Sequence, residues 1–195
     1  ENGEAEAWRL SGMAGLAELA LARGIGDPFA AGGPFLQADP VLGLVGDATA
    51  ASLALPLGDP GRVRLLTLTD GDRRLDRLRL DGRWADLGAT LTFDRLDEAA
   101  GPLGSEGRGA LAMGGATTHL LGVGLRWQAT SRLELAAAAT AGLTRVAGSE
   151  AIDGWSPLVS TAWSLDAVAA DMLAAGDSLG LRLGQPLRVE RAKAR

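Results

Sequence analysis

A chain of 195 residues, 47% of them hydrophobic, has the length of one domain and enough apolar content either to fill a core or to coat a barrel. The net charge of −5 and the scattered arginines, with Lys193 the sole lysine, lack the concentrated basic face that nucleic acid requires, so no nucleic-acid partner is expected. Cysteine is absent, which removes disulfides and thiolate chemistry, and no run approaches the ~20 apolar residues of a membrane helix; if the chain spans a bilayer, it does so as a closed barrel.

Glycine, at 28 residues, is about twice as frequent as the usual ~7%, and with the Ala, Arg and Leu bias it reads first as the codon usage of a GC-rich genome. The chain starts at Glu1 without Met or a signal peptide, as a mature fragment or a trimmed piece would. Residues 4–23 are rich in Ala, Leu and Glu, and Trp8, Met13, Leu16, Leu19 and Ala20 recur at helical spacing. They predict an N-terminal helix, weakened by Gly12 and Gly15 and stopped by residues 24–28. The Gly/Pro-rich stretch up to Pro40 reads as an ordered loop or linker. The domain division is accordingly a helix and linker over 1–37 and a β-barrel domain over 38–195.

Period-two segments follow. Residues 41–45 are short and apolar, 52–57 place Leu53, Leu55 and Leu57 on one face, and 58–61 form a turn. A strand over 63–69 ends at Asp70-Gly71, a hairpin signal, and one over 75–80 meets a second Asp-Gly at 81–82. Residues 84–96 read as one long strand, and 110–113 as a short resumption. In 118–128, Leu121, Val123, Leu125 and Trp127 oppose Gly122, Gly124 and Arg126. In 133–144, Leu135, Ala137, Ala139, Ala141 and Leu143 oppose Glu134, Ala136, Ala138, Thr140 and Gly142. Strands over 158–168 and 179–190 close the series, and Pro186, with no amide to donate, marks a bulge or an edge in the last. The pattern predicts an all-β fold, an antiparallel up-and-down β-barrel of about eight to ten strands with an N-terminal helix.

Candidate chemistry is sparse. His119, the one histidine, lacks the further ligands of a metal site and an orienting partner, and reads as a strand-start residue facing solvent. Asp70, Asp72 and Asp76 do not complete a calcium loop and read as turn formers. The glycines of 104–109 lack the lysine and the helix of a phosphate loop, and Ser105, Ser149 and Ser160 have no nucleophile elbow. No catalytic residue, cofactor or metal site is expected. Arg126, Glu134 and Arg182 lie on the small, polar faces of their strands and are the candidates for a barrel lumen.

Three stretches carry a resemblance: ADPVLGLVGD at 38–47, LGSEGRGA at 103–110 with the Thr117-Thr118 strand start, and above all DMLAAGDSLGLRLGQPLRVE at 171–190. They resemble the C-terminal, autotransporter-like region of alphaproteobacterial subtilisin-like (S8) serine peptidases. The resemblance covers roughly residues 38–190 and implies an outer-membrane barrel acting as a non-catalytic translocator and anchor. It implies outer-membrane lipid and a passenger peptidase domain as partners, and a bacterial outer-membrane location. In that family further strands generally follow the Gln-Pro-Leu-Arg-Val motif, and nothing in this chain matches the peptidase's Asp, His and Ser motifs. The competing expectation is a soluble or periplasmic β-rich accessory domain that binds a partner or a small apolar ligand. The two differ in which face of each strand meets the interior.

Overall fold

The computed structural model of the protein describes residues 8–23, 39, 41–45, 48–105, 114–147, 156–172, 174 and 176–191. Ten strands run through it in chain order. They are β1 (Trp8–Ala14), β2 (Ala17–Arg23), β3 (Thr49–Pro56), β4 (Arg62–Thr69) and β5 (Arg73–Trp84), followed by β6 (Leu87–Glu98), β7 (Ala116–Gln128), β8 (Leu133–Val146), β9 (Leu158–Ala170) and β10 (Ser178–Arg191). Each pairs antiparallel with the next, giving one up-and-down sheet. The sheet is not closed. Among the described residues β1 and β10 are each paired on one side only, and the seven residues of β1 could cover only half of the fourteen of β10.

The expected N-terminal helix is a β-hairpin. β1 and β2 pair from Trp8↔Arg23 to Ala14↔Ala17, and Gly15, at φ 65, opens the two-residue connection between them. Glycine enters that left-handed region without a Cβ clash. β2 then pairs with β3, so its amides are satisfied by neighbouring strands, and this tertiary pairing outweighs the helical preference of Ala, Leu and Glu.

Other boundaries shift for local reasons. Residues 41–45 form a single 3-10 turn, Leu42–Leu44, rather than a strand, because Asp39 Oδ1 accepts the amides of Val41 and Leu42 and starts the turn. Asp81-Gly82 lies inside β5, not at a turn: the Asp81 carboxylate is taken by Arg79 and by the Thr90 hydroxyl of the next strand. The chain reverses instead at Ala85-Asp86, which divides the long strand expected over 84–96. The turns at 58–61 and Asp70-Gly71 fall between strands, as their residues require. Pro186 sits in a register shift between Gln185 and Arg188 on an edge strand, where its missing amide breaks no ladder. The expected strand at 110–113 lies outside the described residues.

The two ends of the sheet differ. The connections after β1, β3, β5, β7 and β9 are short, while three of the four at the opposite end, those after β2, β6 and β8, are long and only the one after β4 is short. At the long-connection end the concave face holds an apolar cluster of Leu68, Leu75, Leu96, Leu120, Ala22 and Ala50, joined by Val41, Leu42 and Val45 from the 3-10 turn. Leu187 of β10 packs against the same cluster, which holds the sheet curled around it.

Candidate functional site

Toward the short connections, the concave face changes character. The pleat puts alternate residues of each strand on one side, and the register aligns them into rows across the sheet. One concave row runs Arg79, Thr92, Gly122, Thr140 and Ala162, and another runs Gly88, Arg126, Ala136, Asp166 and Arg182. These rows line a cavity of about 990 Å³. Arg126 Nε lies 3.0 Å from Glu134 Oε1, and Arg182 donates to both oxygens of Asp166, with Nη2 3.0 Å from Oδ2. The three residues singled out from the sequence, Arg126, Glu134 and Arg182, therefore all face this one cavity. Small residues make room for them: a Cβ on Gly122 would collide with Thr92 Oγ1, whereas one on Gly124 would meet only ordinary contact with Thr90.

Where polar cavity and apolar cluster meet, Arg77 is buried between two carboxylates. Its Nε and Nη2 donate to Asp94 at 2.6 and 2.7 Å, and its Nη1 donates to Asp39 at 2.5 Å. A buried guanidinium with a bidentate partner is tolerated where a lone one is not. Because Asp39 also caps the 3-10 turn, and Arg73 donates to the Leu44 carbonyl at 3.0 Å, the turn is tied to the wall of the sheet as a plug. Burial opposes the charge on Asp39. The charge and hydrogen bond of Arg77, with the amides of Val41 and Leu42, overcome it and hold the carboxyl below the usual carboxylate range.

The convex face inverts this pattern. Behind the polar cavity, the row Leu19, Leu53, Leu65, Leu78, Phe93, Leu121 and Ala141 is apolar at every strand from β2 to β8. Next to it, toward the short connections, come Leu91, Val123, Ala139 and Trp163. Leu121, Val123, Leu125 and Trp127 are all about half exposed, at 46–55%. Behind the apolar cluster, by contrast, the convex row Arg23, Thr49, Thr69, Arg74, Asp97, Thr117 and Arg145 is polar throughout.

The other candidates are placed as follows. His119 is exposed on the convex face, and no group of three metal-ligating side chains occurs among the described residues. Asp70 accepts the amides of Asp72 and Arg73 within its turn, and Asp76 accepts from Thr67 and Arg74. The amides of Leu103 and Gly104 bind the Glu98 carboxylate, so this part of the glycine loop closes a connection; 106–109 lie outside the described residues. Ser105 donates to the Pro102 carbonyl, Ser149 lies outside the described residues, and Ser160 is buried on the concave face, separated by the sheet from His119. Sequence reasoning missed Arg77, Asp94, Asp39 and Asp166. For the strand pairs Arg77–Asp94 and Arg182–Asp166 the signal was an arginine and an aspartate of matching parity on facing strands, readable only once the register is known, while Asp39, outside any strand, carried no such signal.

Compared with protein-family models, with curated proteins and with solved structures, the chain matches none.

Proposed function

We propose that this chain is the membrane-embedded β-region of an outer-membrane protein, a non-catalytic anchor and translocator of the autotransporter type, with outer-membrane lipid as its surroundings. One observation carries the reading. On the same strands, Leu121, Val123, Leu125 and Trp127 are exposed on the convex side while the ion pairs Arg126–Glu134 and Arg182–Asp166 are held in the concave cavity. In water such an arrangement exposes a continuous apolar surface across several strands, far beyond scattered single residues. In a bilayer it is the favourable one, since an arginine on the lipid face near the midplane costs about 2–4 kcal/mol and one in a hydrated lumen does not.

Insertion requires the free edges of β1 and β10 to be paired, because lipid satisfies no amide or carbonyl. Strands from the rest of a longer chain, as in the peptidase-associated regions this sequence resembles, would supply that pairing, and the passenger peptidase would be the attached cargo. The test is membrane fractionation of the native full-length protein. Recovery in the outer-membrane fraction, resistant to alkaline and high-salt washes, is the expected result; a monodisperse protein soluble without detergent ends the reading.

A second reading, a soluble or periplasmic accessory domain, is supported by the buried apolar cluster around Leu68, Leu75 and Leu96, since a fold in water needs such a core. Detergent-free monodispersity is the outcome that would support it.

A further inference from the structure

We infer that lipid covers only the half of the sheet nearest the short connections, and that the other half stands in water as a plugged vestibule. The inference rests on the membrane reading above and adds a boundary to it. On β6 and β7 that boundary crosses the convex face between Phe93–Leu121 and Arg95–His119, two adjacent cross-strand pairs.

Three independent features meet at this line. The first is the change in convex chemistry. On β5 the convex residues pass from Leu78 to Asp76 and then Arg74, whose guanidinium holds Asp76 at 2.9 Å. On β6 they pass from Phe93 to Arg95 and Asp97, paired at 2.9 Å. Ion pairs of this kind are at home in water or among headgroups and are expelled from hydrocarbon. At β8 the line falls one pair further along, between Leu143 and Arg145.

The second feature is the change on the concave side at the same level. Where the convex face turns polar, the concave face turns from a polar cavity to the cluster of Leu68, Leu75 and Leu96. A strand with an apolar inside and a polar outside is built for water, and one with the reverse is built for lipid. Both β5 and β6 have the two arrangements in sequence along their length.

The third is the placement of aromatics. Of the four whose side chains are described, Trp84, Trp127 and Phe93 sit at an edge of the apolar band, and Trp163 lies one row inside it. Trp84 and Trp127, both opposed to Leu87 or joined through it, lie beside the short connections. Phe93 lies next to Arg95, and Trp163 lies two residues from Thr161, whose hydroxyl donates to Glu190 at 2.8 Å. Aromatic side chains collect at the two water interfaces of a membrane barrel. From Leu121 to Trp127 the strand rises about 20 Å, or about 15 Å along the normal at a usual tilt, against the ~25 Å band of a full-height barrel. The shortfall is what a half-covered sheet presents.

These residues include no cysteine, so each introduced thiol is the one labelling site within them. In the native full-length protein, Leu125→Cys, Val123→Cys, His119→Cys and Arg145→Cys are each labelled with a polarity-sensitive fluorophore, and the folded protein is reconstituted into phosphatidylcholine vesicles. Nitroxide-bearing lipid should quench the first two labels several-fold more than the last two, and aqueous iodide should quench in the reverse order. Quenching of His119 and Arg145 by nitroxide lipid to the same extent as Leu125 overturns the boundary and leaves the membrane reading standing. Iodide quenching at Leu125 and Val123, with no effect of nitroxide lipid, sinks the membrane reading itself. Phe93→Cys and Thr117→Cys repeat the comparison on opposite sides of the line should one of the first variants fail to fold.

Discussion

Leu96 and Phe93 lie three residues apart on β6 and point to opposite faces, Leu96 fully buried in the concave cluster and Phe93 46% exposed on the convex band. Three is an odd step, so the pleat alone separates the two side chains. Leu96→Ala should cost about 2–5 kcal/mol, as large-to-small changes in a packed site do. Phe93→Ala should change the stability of detergent-solubilised protein by far less. Denaturant midpoints in one detergent compare them directly, and equal losses would mean that Phe93 is packed rather than free to meet lipid.

Val123 and Gly124 test sidedness by one step along β7. Val123→Arg places a charge on the apolar band and should reduce folding into vesicles by about 2–4 kcal/mol. Gly124→Arg enters the polar cavity, where a Cβ at Gly124 meets only ordinary contacts with Thr90 and the Ala137 carbonyl, and should fold in better yield. The measurement is the folded fraction of the full-length protein after dilution from urea into lipid vesicles.

Arg77 holds two carboxylates, so its removal should be among the most damaging single changes. Arg77→Met leaves the buried Asp94 and the half-buried Asp39 without their cation, a loss of about 3–5 kcal/mol. Combining it with Asp94→Asn and Asp39→Asn removes the stranded charges and should restore a good part of the stability. A triple variant no more stable than Arg77→Met would show that the plug depends on Arg77 for something other than charge.

The Asp39 cap makes the plug acid-sensitive in one direction. A carboxyl held below its unfolded value contributes stability that is present above that value, near 3.9, and lost as pH falls through the lower folded value. The 3-10 turn should therefore stay docked through the neutral and mildly acid range and loosen only below about pH 4. Proteolysis by pepsin across that range, followed by mapping of cuts near 39–45, checks this. Asp39→Asn should show nearly the same susceptibility at pH 5 as at pH 3.

The short apolar band should favour thin bilayers. Folding into vesicles of 12-carbon lipids should exceed folding into 18-carbon lipids, because covering a band of about 15 Å in a thick bilayer deforms the lipid. Equal yields in both would indicate that more of the convex face than the rows up to Phe93 and Leu121 is buried in lipid.

The sequence by itself determined which side chains share a face. Leu121, Val123, Leu125 and Trp127 had to lie together and Arg126 opposite them, and Pro186 had to sit where no ladder amide was needed, because alternation and proline chemistry are local properties of the backbone. Arg126, Glu134 and Arg182 were legible as one polar set for the same reason. The tertiary structure decided everything that depends on a neighbour distant in sequence. The stretch 8–23 became a hairpin because β3 offered β2 a ladder that Ala, Leu and Glu could not foresee. Asp81-Gly82 stayed in a strand because Thr90 and Arg79 took the carboxylate that a turn would have used. Arg77 met Asp94 and Asp39 only through the pairing of β5 with β6 and the inward fold of the 3-10 turn, and the seam between β1 and β10 stayed open because strand length and curl, not alternation, close a sheet. The reversal of inside and outside between Leu96 and Phe93 belongs to both levels: the parity is written in the residues, but which parity is the interior is settled only when the sheet curls.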